Sequence, residues 1–285
     1  MAAHLEDLPP PVRFYLGAHR PSWLATSDVS LFVSHRTLAR RRALPRARAP
    51  WALDSGGFTE LSLYGEFRTS ARAYARCVQR YQRDIGYLDF ASIQDWMVEP
   101  DMLRRTGRSI EEHQERSIDS YLELTSLAPE VPWMPVLQGW GPLEHEEHAE
   151  AYARRGVDLR ACARVGVGSI CRRQQTARAG HILAGLALDG LRLHGFGLKL
   201  TGLRHSASFL ASADSMAWSY HERRERTGMQ NRLDAALAWH ASKIEPLLSR
   251  EHRPALLLHA ASAAPRTLVQ LSLPWAHAGE HRVAA

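Results

Sequence analysis

The chain has 285 residues and a mass of 32.0 kDa, a size that suits one α/β barrel of about 250 residues. Hydrophobic residues make up 45% of the chain and charged residues 23%, proportions that exclude wholesale disorder. The 36 basic residues exceed the 30 acidic ones, and the charge of +6 weakly favours a polyanionic partner such as nucleic acid. Lysine occurs only at positions 199 and 243, and such an arginine excess is also typical of GC-rich genomes.

The cysteines and the N-terminus indicate the compartment. Cys77, Cys162 and Cys171 are odd in number, far apart and never in a CxxC pair, which argues against a disulfide framework and a thiolate zinc site. The first residues, MAAHLEDLPPPVRF, are acidic and proline-rich where a signal peptide needs a basic end and an apolar core. No apolar run approaches the ~18 residues of a membrane span. We therefore expect a cytoplasmic protein.

Short apolar or alternating runs predict eight strands, most of them followed by a turn and an amphipathic stretch. In chain order the strands are predicted at 14–18, 30–34, 51–54, 88–94, 133–138, 165–169, 192–196 and 212–217. Helices are predicted at about 70–86, 110–128, 143–156, 172–189 and 228–249. Ser109 and Glu112 have the spacing of a capping box at the start of the second helix. Alternating strands and helices predict a parallel sheet, and eight strands favour a closed (β/α)8 barrel of the TIM type with a C-terminal helix.

Other architectures and motifs fit less well. A Rossmann fold needs a third glycine that both Gly166-Val-Gly168 and Gly195-Phe-Gly197 lack, and no Walker A motif or GxSxG elbow is present. His145-Glu-Glu-His148 lacks the HExxH spacing and predicts a solvated helix face. We expect one domain over 1–285, with a barrel core at about 12–220, a helical extension at about 221–250 and a flexible tail at 274–285.

Polar residues follow most of the predicted strands, at the end of a βα barrel where active sites lie. These segments are Asp54-Ser-Gly-Gly-Phe58, Gln94-Asp95-Trp96, Gln138-Gly-Trp140, Gly168-Ser169, Gly197-Leu-Lys199 and Asp214-Ser215. Taken singly, each is also typical of a turn or a helix cap. Carboxylates at three strand ends would repel one another unless the site needs them. Together they predict a site for catalysis or for a ligand rich in hydrogen-bond donors.

The same segments resemble the tRNA-guanine transglycosylase (queuine tRNA-ribosyltransferase-like) superfamily. DSGGF, VLQG, VGVG and the Asp214-Ser215 pair occur in the order and spacing of that superfamily from about residue 50 to 220. The longer sequence segments are most similar to the DpdA-like branch, which inserts 7-deazaguanines into DNA. These segments are IQDWM, GSICRR, LHGFGLK and SADSMAWS. The superfamily fold is a (β/α)8 barrel, in agreement with the strand count.

The resemblance implies a role for each matching residue. Asp214 would attack the anomeric carbon and hold the sugar covalently, and Asp54 would handle the proton of the departing or incoming base. Asp95 would accept hydrogen bonds from the ring N–H and the amine of the base. Gln138 and the backbone N–H of Gly168 would donate to its carbonyl oxygen. The remaining predicted base-binding residues are Gly139, Phe58 and Trp96. The aromatic rings of Phe58 and Trp96 either stack on a flipped base or pack in the core.

Contacts with sugar and phosphate are predicted from the loops beside these residues: Ser55, Gly56, Gly57, Lys199, Arg172 and Arg173. Gly56 and Gly57 would let the sugar approach the backbone closely. The segment 36–48 contains six arginines, and it is either a solvated connection or a phosphate-contacting patch near the rim. His19 and His194 lie in strands and are predicted to be core histidines.

The chain departs from the tRNA enzymes in one respect. Their zinc is held by a CxCxxC cluster and a later histidine, which this sequence lacks, and the chain ends soon after the barrel. We therefore expect no zinc subdomain, no metal and no cofactor, the 7-deazaguanine base being a co-substrate. The same departure puts a tRNA substrate in doubt.

The predicted function is exchange of guanine for a 7-deazaguanine, of the 7-cyano-7-deazaguanine type, in a polynucleotide. DNA is favoured; tRNA, a free nucleotide, an N-glycosidic hydrolase and a non-catalytic nucleic-acid-binding barrel are the alternatives. Asp54 and Asp214 together argue against the last, because a surface for phosphates gains nothing from buried carboxylates. The expected partners are nucleic acid and a purine or 7-deazapurine base, without a membrane; a homodimer or a partner protein is left open.

Overall fold

Nine parallel strands form one sheet in the computed structural model, which describes residues 12–170, 177–219 and 232–249. The strands are β1 (Arg13–Ala18), β2 (Leu31–Ser34), β3 (Trp51–Asp54), β4 (Leu88–Ser92), β5 (Trp133–Met134), β6 (Val136–Leu137), β7 (Val165–Val167), β8 (Leu193–Gly195) and β9 (Leu210–Ser215). Their order in the sheet is β5-β4-β3-β2-β1-β9-β8-β7-β6. The edge strands β5 and β6 are consecutive in the chain, so the sheet returns to its starting point and forms a barrel.

Proline explains why there are nine strands and only eight positions around the barrel. Pro135 has no N–H to donate and separates β5, which pairs with β4, from β6, which pairs with β7. Its carbonyl still accepts the N–H of Gly166 at 2.8 Å. The predicted strand at 133–138 is therefore one strand interrupted at a single residue, and the (β/α)8 prediction is confirmed.

Helices surround the barrel and also extend several of its loops. The described α-helices are α1 (His35–Leu38), α2 (Gly57–Tyr64), α3 (Ala71–Asp84), α4 (Pro100–Thr106), α5 (Ile110–Leu127), α6 (Pro142–Arg154), α7 (Ala177–Leu188), α8 (Leu200–Ser206), α9 (Leu233–Trp239) and α10 (Glu245–Leu248). A π-helical turn, His240–Ile244, joins α9 to α10. Trp239 and His240 contact Phe14 of β1, so the predicted C-terminal helix packs on the barrel.

Local sequence signals explain where the helices begin and end. The predicted capping box is confirmed: Glu112 N–H donates to Ser109 Oγ at 3.2 Å, and Ser109 N–H donates to Glu112 Oε2 at 2.8 Å. Gly65 and Gly107 end α2 and α4 with φ of 72° and 68°, a left-handed conformation that glycine adopts without strain. The short helices α1, α2, α4 and α8 were not predicted, because fewer than about ten residues show little apolar periodicity.

The interior of the barrel contains a polar cluster at the N-terminal end of the strands and aromatic rings above it. Asp89 of β4 accepts hydrogen bonds from Tyr15, Arg13 and Arg164. The ring of Tyr15 also contacts Phe90 and His194, at centroid distances of 5.3 and 6.1 Å. The N-terminal mouth of the barrel is thus closed by side chains, and the C-terminal end is left for a site.

The remaining sequence predictions concern membrane spans, His19 and segments outside the described residues. Within the described ranges, no helix combines the length and the apolar character needed to cross a bilayer. His19 is half-buried against Trp218 and lies 2.9 Å from Ser219 Oγ. Cys171, the start of the predicted helix at 172–189, residues 228–231 and the tail at 274–285 lie outside the described residues.

Candidate active site

The predicted polar residues meet at the C-terminal end of the strands. Asp54 is the last residue of β3, and Asp214 is the last residue but one of β9. Asp95 and Gln138 follow β4 and β6. Gln138 Nε2 donates to Asp95 Oδ2 at 2.6 Å. The negative charge of Asp54 raises the pKa of Asp95, and the negative charge of Asp214 raises the pKa of Asp54. The structure therefore brings three carboxyl groups and one carboxamide into a single buried cluster.

Asp214 is held by the backbone and by a histidine. Its Oδ1 accepts the N–H of Gly197 at 2.9 Å, and His194 Nε2 lies 3.4 Å from the same oxygen. His194 is fully buried, and its Nδ1 is 2.9 Å from Ser212 Oγ. His194 is a core histidine as predicted, but its contact with Asp214 was missed because the register of β8 against β9, which shifts between Leu193 and His194, does not follow from the sequence pattern.

Asp54 is placed where its carboxyl group retains a proton more readily than in water. Burial raises the pKa of this carboxyl group, and the charge of Asp214 raises it further. Hydrogen bonds from the backbone of Gly56 and the side chain of Ser34, together with the charge of Arg36, act in the opposite direction. The net shift is upward, so this carboxyl group holds its proton to a higher pH than an aspartate in water does, as a proton donor in catalysis requires.

The pKa of Asp95 is also raised. Burial, followed by the charge of Asp54, raises the pKa of Asp95 to about 7. Its partner Gln138 is held in turn, because Gln138 Oε1 lies 2.8 Å from the Oγ of Ser169. Ser169 Oγ is also 3.0 Å from Glu99 Oε2 and accepts the N–H of Val98 at 3.1 Å. A buried hydrogen-bond network thus fixes the polar edge that Asp95 and Gln138 present.

The histidines of the HEEH segment support this network and do not face solvent, so the predicted solvated helix face is wrong. His145 and His148 of α6 are fully buried. His148 Nδ1 accepts the backbone N–H of Gln138 at 2.9 Å, and burial lowers the pKa of His148 to about 3. His145 Nδ1 lies 2.9 Å from the carbonyl of Gly141. These side chains hold the loop that carries Gln138.

Two predicted base-binding glycines have a different role, since each leaves room for a neighbouring side chain. The N–H of Gly168 donates to the carbonyl of Leu137 at 2.8 Å, so the prediction that it faces the base is wrong: strand pairing uses it. A Cβ at Gly168 would lie 2.2 Å from Gln138 Nε2, and a Cβ at Gly139 would lie 2.5 Å from His145 Nδ1. Both glycines therefore allow the network around Gln138 to form.

The DSGG turn directs the chain from β3 into α2. Ser55 is buried, and its Oγ accepts the N–H of Gly57 at 3.3 Å. Gly56 has a φ of 80°, and a Cβ there would lie 2.8 Å from Cγ of Arg36. The left-handed turn thus requires glycine for its own geometry. Its predicted contact with a sugar stays a prediction, as does the phosphate contact of Lys199, an exposed residue at the start of α8.

The two predicted aromatic residues differ in exposure. The ring of Trp96 is buried against Phe67 and His113, with the guanidinium groups of Arg108 and Arg116 at 5.5 and 4.7 Å from its centroid. The ring of Trp96 therefore packs in the interior, which is the second of the two roles predicted for it. Phe58 lies in the first turn of α2 and is 46% exposed, and its predicted stacking on a base stays a prediction.

The arginines of 36–48 leave the rim instead of lining it. Arg36 lies at the rim, where it pairs with Glu60 of α2. The carbonyls of Arg41 and Arg42 accept hydrogen bonds from Arg80, in the second half of α3, and the N–H of Ala47 donates to Ile85, just before β4. These contacts place 40–48 along the barrel toward its N-terminal end, which corrects the predicted patch near the rim. Arg172 and Arg173 lie outside the described residues.

A groove of about 750 Å³ lies far from the carboxyl cluster, between the second half of α6, the end of α7 and the loop at 155–160. Its acidic lining residues are Glu146, Glu150, Asp158 and Asp189. We place the candidate active site at the carboxyl cluster, because perturbed carboxyl groups at the C-terminal end of a barrel are what catalysis requires. Among the described residues, no three His, Cys, Asp or Glu side chains are grouped so as to hold a metal ion.

The parallel sheet and the carboxyl groups at the C-terminal ends of its strands define the class of βα-barrel proteins with a candidate site at that end. The family model for DpdA, DeoxyPurine in DNA protein A, matches residues 11–241. The chain therefore belongs to the DpdA family, whose members are transglycosylase-like proteins connected with 7-deazaguanine in DNA. No curated protein matches the chain significantly.

Proposed function

We propose that the protein replaces guanine by a 7-deazaguanine of the 7-cyano-7-deazaguanine type in DNA, through a covalent bond between Asp214 and the sugar. The observation that carries the proposal is the gathering of the carboxyl groups of Asp54, Asp95 and Asp214 at one end of the barrel, where burial raises the pKa of Asp54 and of Asp95 in spite of the hydrogen bonds and charges that act in the opposite direction. Burying a carboxyl group in this way costs stability, and such groups are typical of functional sites.

In the first step the carboxylate of Asp214 attacks C1′ of the deoxyribose, and the bond between C1′ and N9 of guanine breaks. The Gly197 N–H and the adjacent His194 ring hold Oδ1 in place, so that Oδ2 is the oxygen that attacks. Asp54, whose pKa is raised by burial, gives its proton to the departing guanine. The products of the step are neutral guanine, ionised Asp54 and a sugar ester of Asp214.

The second step restores both aspartates. Ionised Asp54 removes the N9 proton of the incoming 7-deazaguanine, and N9 then attacks C1′ as the ester bond to Asp214 breaks. The sugar is inverted twice, so its configuration is retained. Each step is carried by side chains of this chain, and the base is the only co-substrate.

Recognition of the base rests on matching donors and acceptors. Guanine and 7-deazaguanine present a ring N–H and an amine on one edge, with a carbonyl oxygen beside them. Asp95 as a carboxylate accepts from both donors, and the Gln138 amide donates to the carbonyl. Phe58, at the start of α2, stacks on the ring.

The decisive variant is Asp214→Asn, tested by denaturing gel electrophoresis after the protein is mixed with labelled DNA. Wild type is expected to form an adduct that free base displaces, and Asp214→Asn is expected to form none, because an amide does not displace a purine. Asp54→Asn is expected to form some adduct but to exchange base slowly, since only proton transfer is impaired. Asp119→Asn, on the exposed side of α5, is the matched control.

Incorporation of labelled guanine into DNA, tRNA or neither then assigns the substrate. Label entering tRNA alone would contradict DNA as the polymer, and release of free base without incorporation would indicate a hydrolase. Exchange by Asp214→Asn at the wild-type rate would exclude the proposed nucleophile.

A further inference from the structure

Two helices that barrel closure does not require stand beside the candidate active site. In each βα unit one helix packs beside the strands, and α3 and α5, which pack on each other, fill that role after β3 and β4. Helices α2 and α4 are additional, and they lie in the loops that follow the C-terminal ends of these strands. Such loops carry the functional contacts of βα barrels.

The surface of these helices is more apolar than a solvated loop needs to be. Within the described part of the chain, six large apolar side chains are exposed, and three of them, Phe58, Leu63 and Tyr64, lie on α2. Leu63 and Tyr64 are 50% and 48% exposed, although α2 has only eight residues. An exposed apolar cluster beside a catalytic rim indicates a contact surface.

Arginines are interleaved with this cluster. The guanidinium of Arg68 lies 5.4 Å from the ring centroid of Tyr64, and Arg105 donates to the carbonyl of Leu63 at 2.6 Å. Arg104 and Arg108 extend the basic surface along and beyond α4, and both are accessible to solvent. We call this surface the α2–α4 ridge: Leu63, Tyr64, Arg68, Arg104, Arg105 and Arg108.

The acidic residues of the ridge do not cancel its charge. Arg104 pairs with Asp101, and the nearby Arg36 pairs with Glu60. Glu66 is a third acidic residue, so five arginines face three acids across this region. Exposed ion pairs of this kind are weak and are readily exchanged for a phosphate, to which arginine can donate two hydrogen bonds.

We infer that the α2–α4 ridge binds the DNA strand beside the exchanged nucleotide, with arginines on the phosphates and Tyr64 against a neighbouring base. Arginine next to an exposed aromatic ring is the combination that single-stranded nucleic acid requires. Helix α2, which carries Leu63 and Tyr64 in its last turn, begins three residues after Asp54, so it connects the ridge to the strand end that carries this carboxyl group. The inference rests on the proposed function, because it takes DNA to be the substrate.

The test compares two sets of three arginines in the intact chain. The ridge set is Arg68→Gln, Arg104→Gln and Arg105→Gln; the control set is Arg40→Gln, Arg41→Gln and Arg42→Gln, which changes the charge equally but lies away from the rim. The probe is a fluorescein-labelled single-stranded oligodeoxynucleotide of about 20 nucleotides, and its affinity is measured by fluorescence anisotropy over a range of salt concentrations.

The ridge set is expected to weaken DNA binding at least about tenfold and to lower the salt slope by two to three, about one for each lost phosphate contact. The control set is expected to change the slope by less than about one. Replacing the three ridge arginines by lysine preserves the charge and should retain most of the slope. Tyr64→Ala should weaken binding with little change in slope, because stacking releases no counterions.

Each outcome decides the inference. An unchanged affinity for the ridge set, an equal loss in the control set, or a loss confined to an RNA probe of the same sequence would overturn it. Affinity for free base and exchange of labelled guanine are measured on the same proteins. If wild type exchanges no base but the ridge set binds DNA more weakly, the proposed function alone is contradicted. If wild type exchanges base and the ridge set binds DNA as tightly as wild type, the inference about the ridge alone is contradicted.

Discussion

The two ends of the barrel contain aspartates in opposite surroundings. At the N-terminal end, burial of Asp89 is outweighed by the hydrogen bond from Tyr15 and by the charges of Arg164 and Arg13, so its pKa is held below the usual value. At the C-terminal end, Asp95 has the neutral amide of Gln138 as its partner, and its pKa is raised to about 7.

This difference separates a carboxyl group that stabilises the fold from one that serves a ligand. The two guanidinium groups at Asp89 compensate the loss of water, so the ionised aspartate fastens β1, β4 and the start of β7 to one another. Among the described residues, no guanidinium group pairs with Asp95, where desolvation and the neighbouring Asp54 penalise the charge. A ligand with two hydrogen-bond donors would supply the stabilisation of the Asp95 carboxylate that the described residues do not provide.

The largest effect that this comparison predicts concerns binding of the base. Asp95→Asn replaces an acceptor of two hydrogen bonds by a group that places a donor against a donor. The affinity for 7-cyano-7-deazaguanine, measured by calorimetry, is expected to fall by roughly 2–4 kcal/mol. Gln138→Ala should cost less, since it removes one neutral hydrogen bond. If both variants bound the base as tightly as wild type, the assignment of this pocket would be wrong.

The second prediction concerns stability and should separate the two aspartates. Asp89→Asn leaves Arg13 and Arg164 without their carboxylate, and it is expected to lower the free energy of unfolding by roughly 2–3 kcal/mol, toward the low end for a broken buried pair because Arg13 is half-exposed. Asp95→Asn is expected to be at least as stable as wild type at neutral pH. Urea denaturation measures both, and equal destabilisation by the two variants would remove the distinction.

The sequence predicted the barrel well because strands depend on local pattern. Each of the eight apolar runs became a strand or, at 133–138, a strand split by Pro135. The positions of Asp54, Asp95, Gln138 and Asp214 followed from the same pattern, since parallel strands bring the residues after them to one end. The motif resemblance then supplied chemical roles that composition could not.

Features that depend on contacts between distant segments were predicted poorly. The histidines of α6 were placed in solvent because their pattern on the helix is polar, yet they are buried against the Gln138 loop. Trp96 follows Asp95 directly, but its ring contacts Phe67 and His113. The arginine run begins at the rim and then descends beside α3, a path that no local signal encodes.

The smallest predicted effect is a pH dependence that belongs to Asp95. A protonated carboxyl group cannot accept from both donors of the base, so binding below a pKa of about 7 requires release of a proton. The dissociation constant for the base is expected to rise about tenfold per pH unit below that value and to be flat above it. The Asp95→Asn variant should show no such slope.

The same pKa fixes the sign of a stability effect. The folded pKa of Asp95, about 7, exceeds the ordinary value of 3.8, so the folded state binds more protons than the unfolded state between these two values. Asp95 therefore lowers stability progressively as pH rises through this window, the reverse of Asp89. Thermal unfolding at about pH 5 and pH 8 should show that the melting temperature of Asp95→Asn rises relative to that of wild type at the higher pH.

The pH dependence of base affinity has its own control. If the dissociation constant still rose at low pH in Asp95→Asn, the titrating group would be a neighbour of Asp95. Asp54, whose pKa burial also raises, would then be the first residue to substitute.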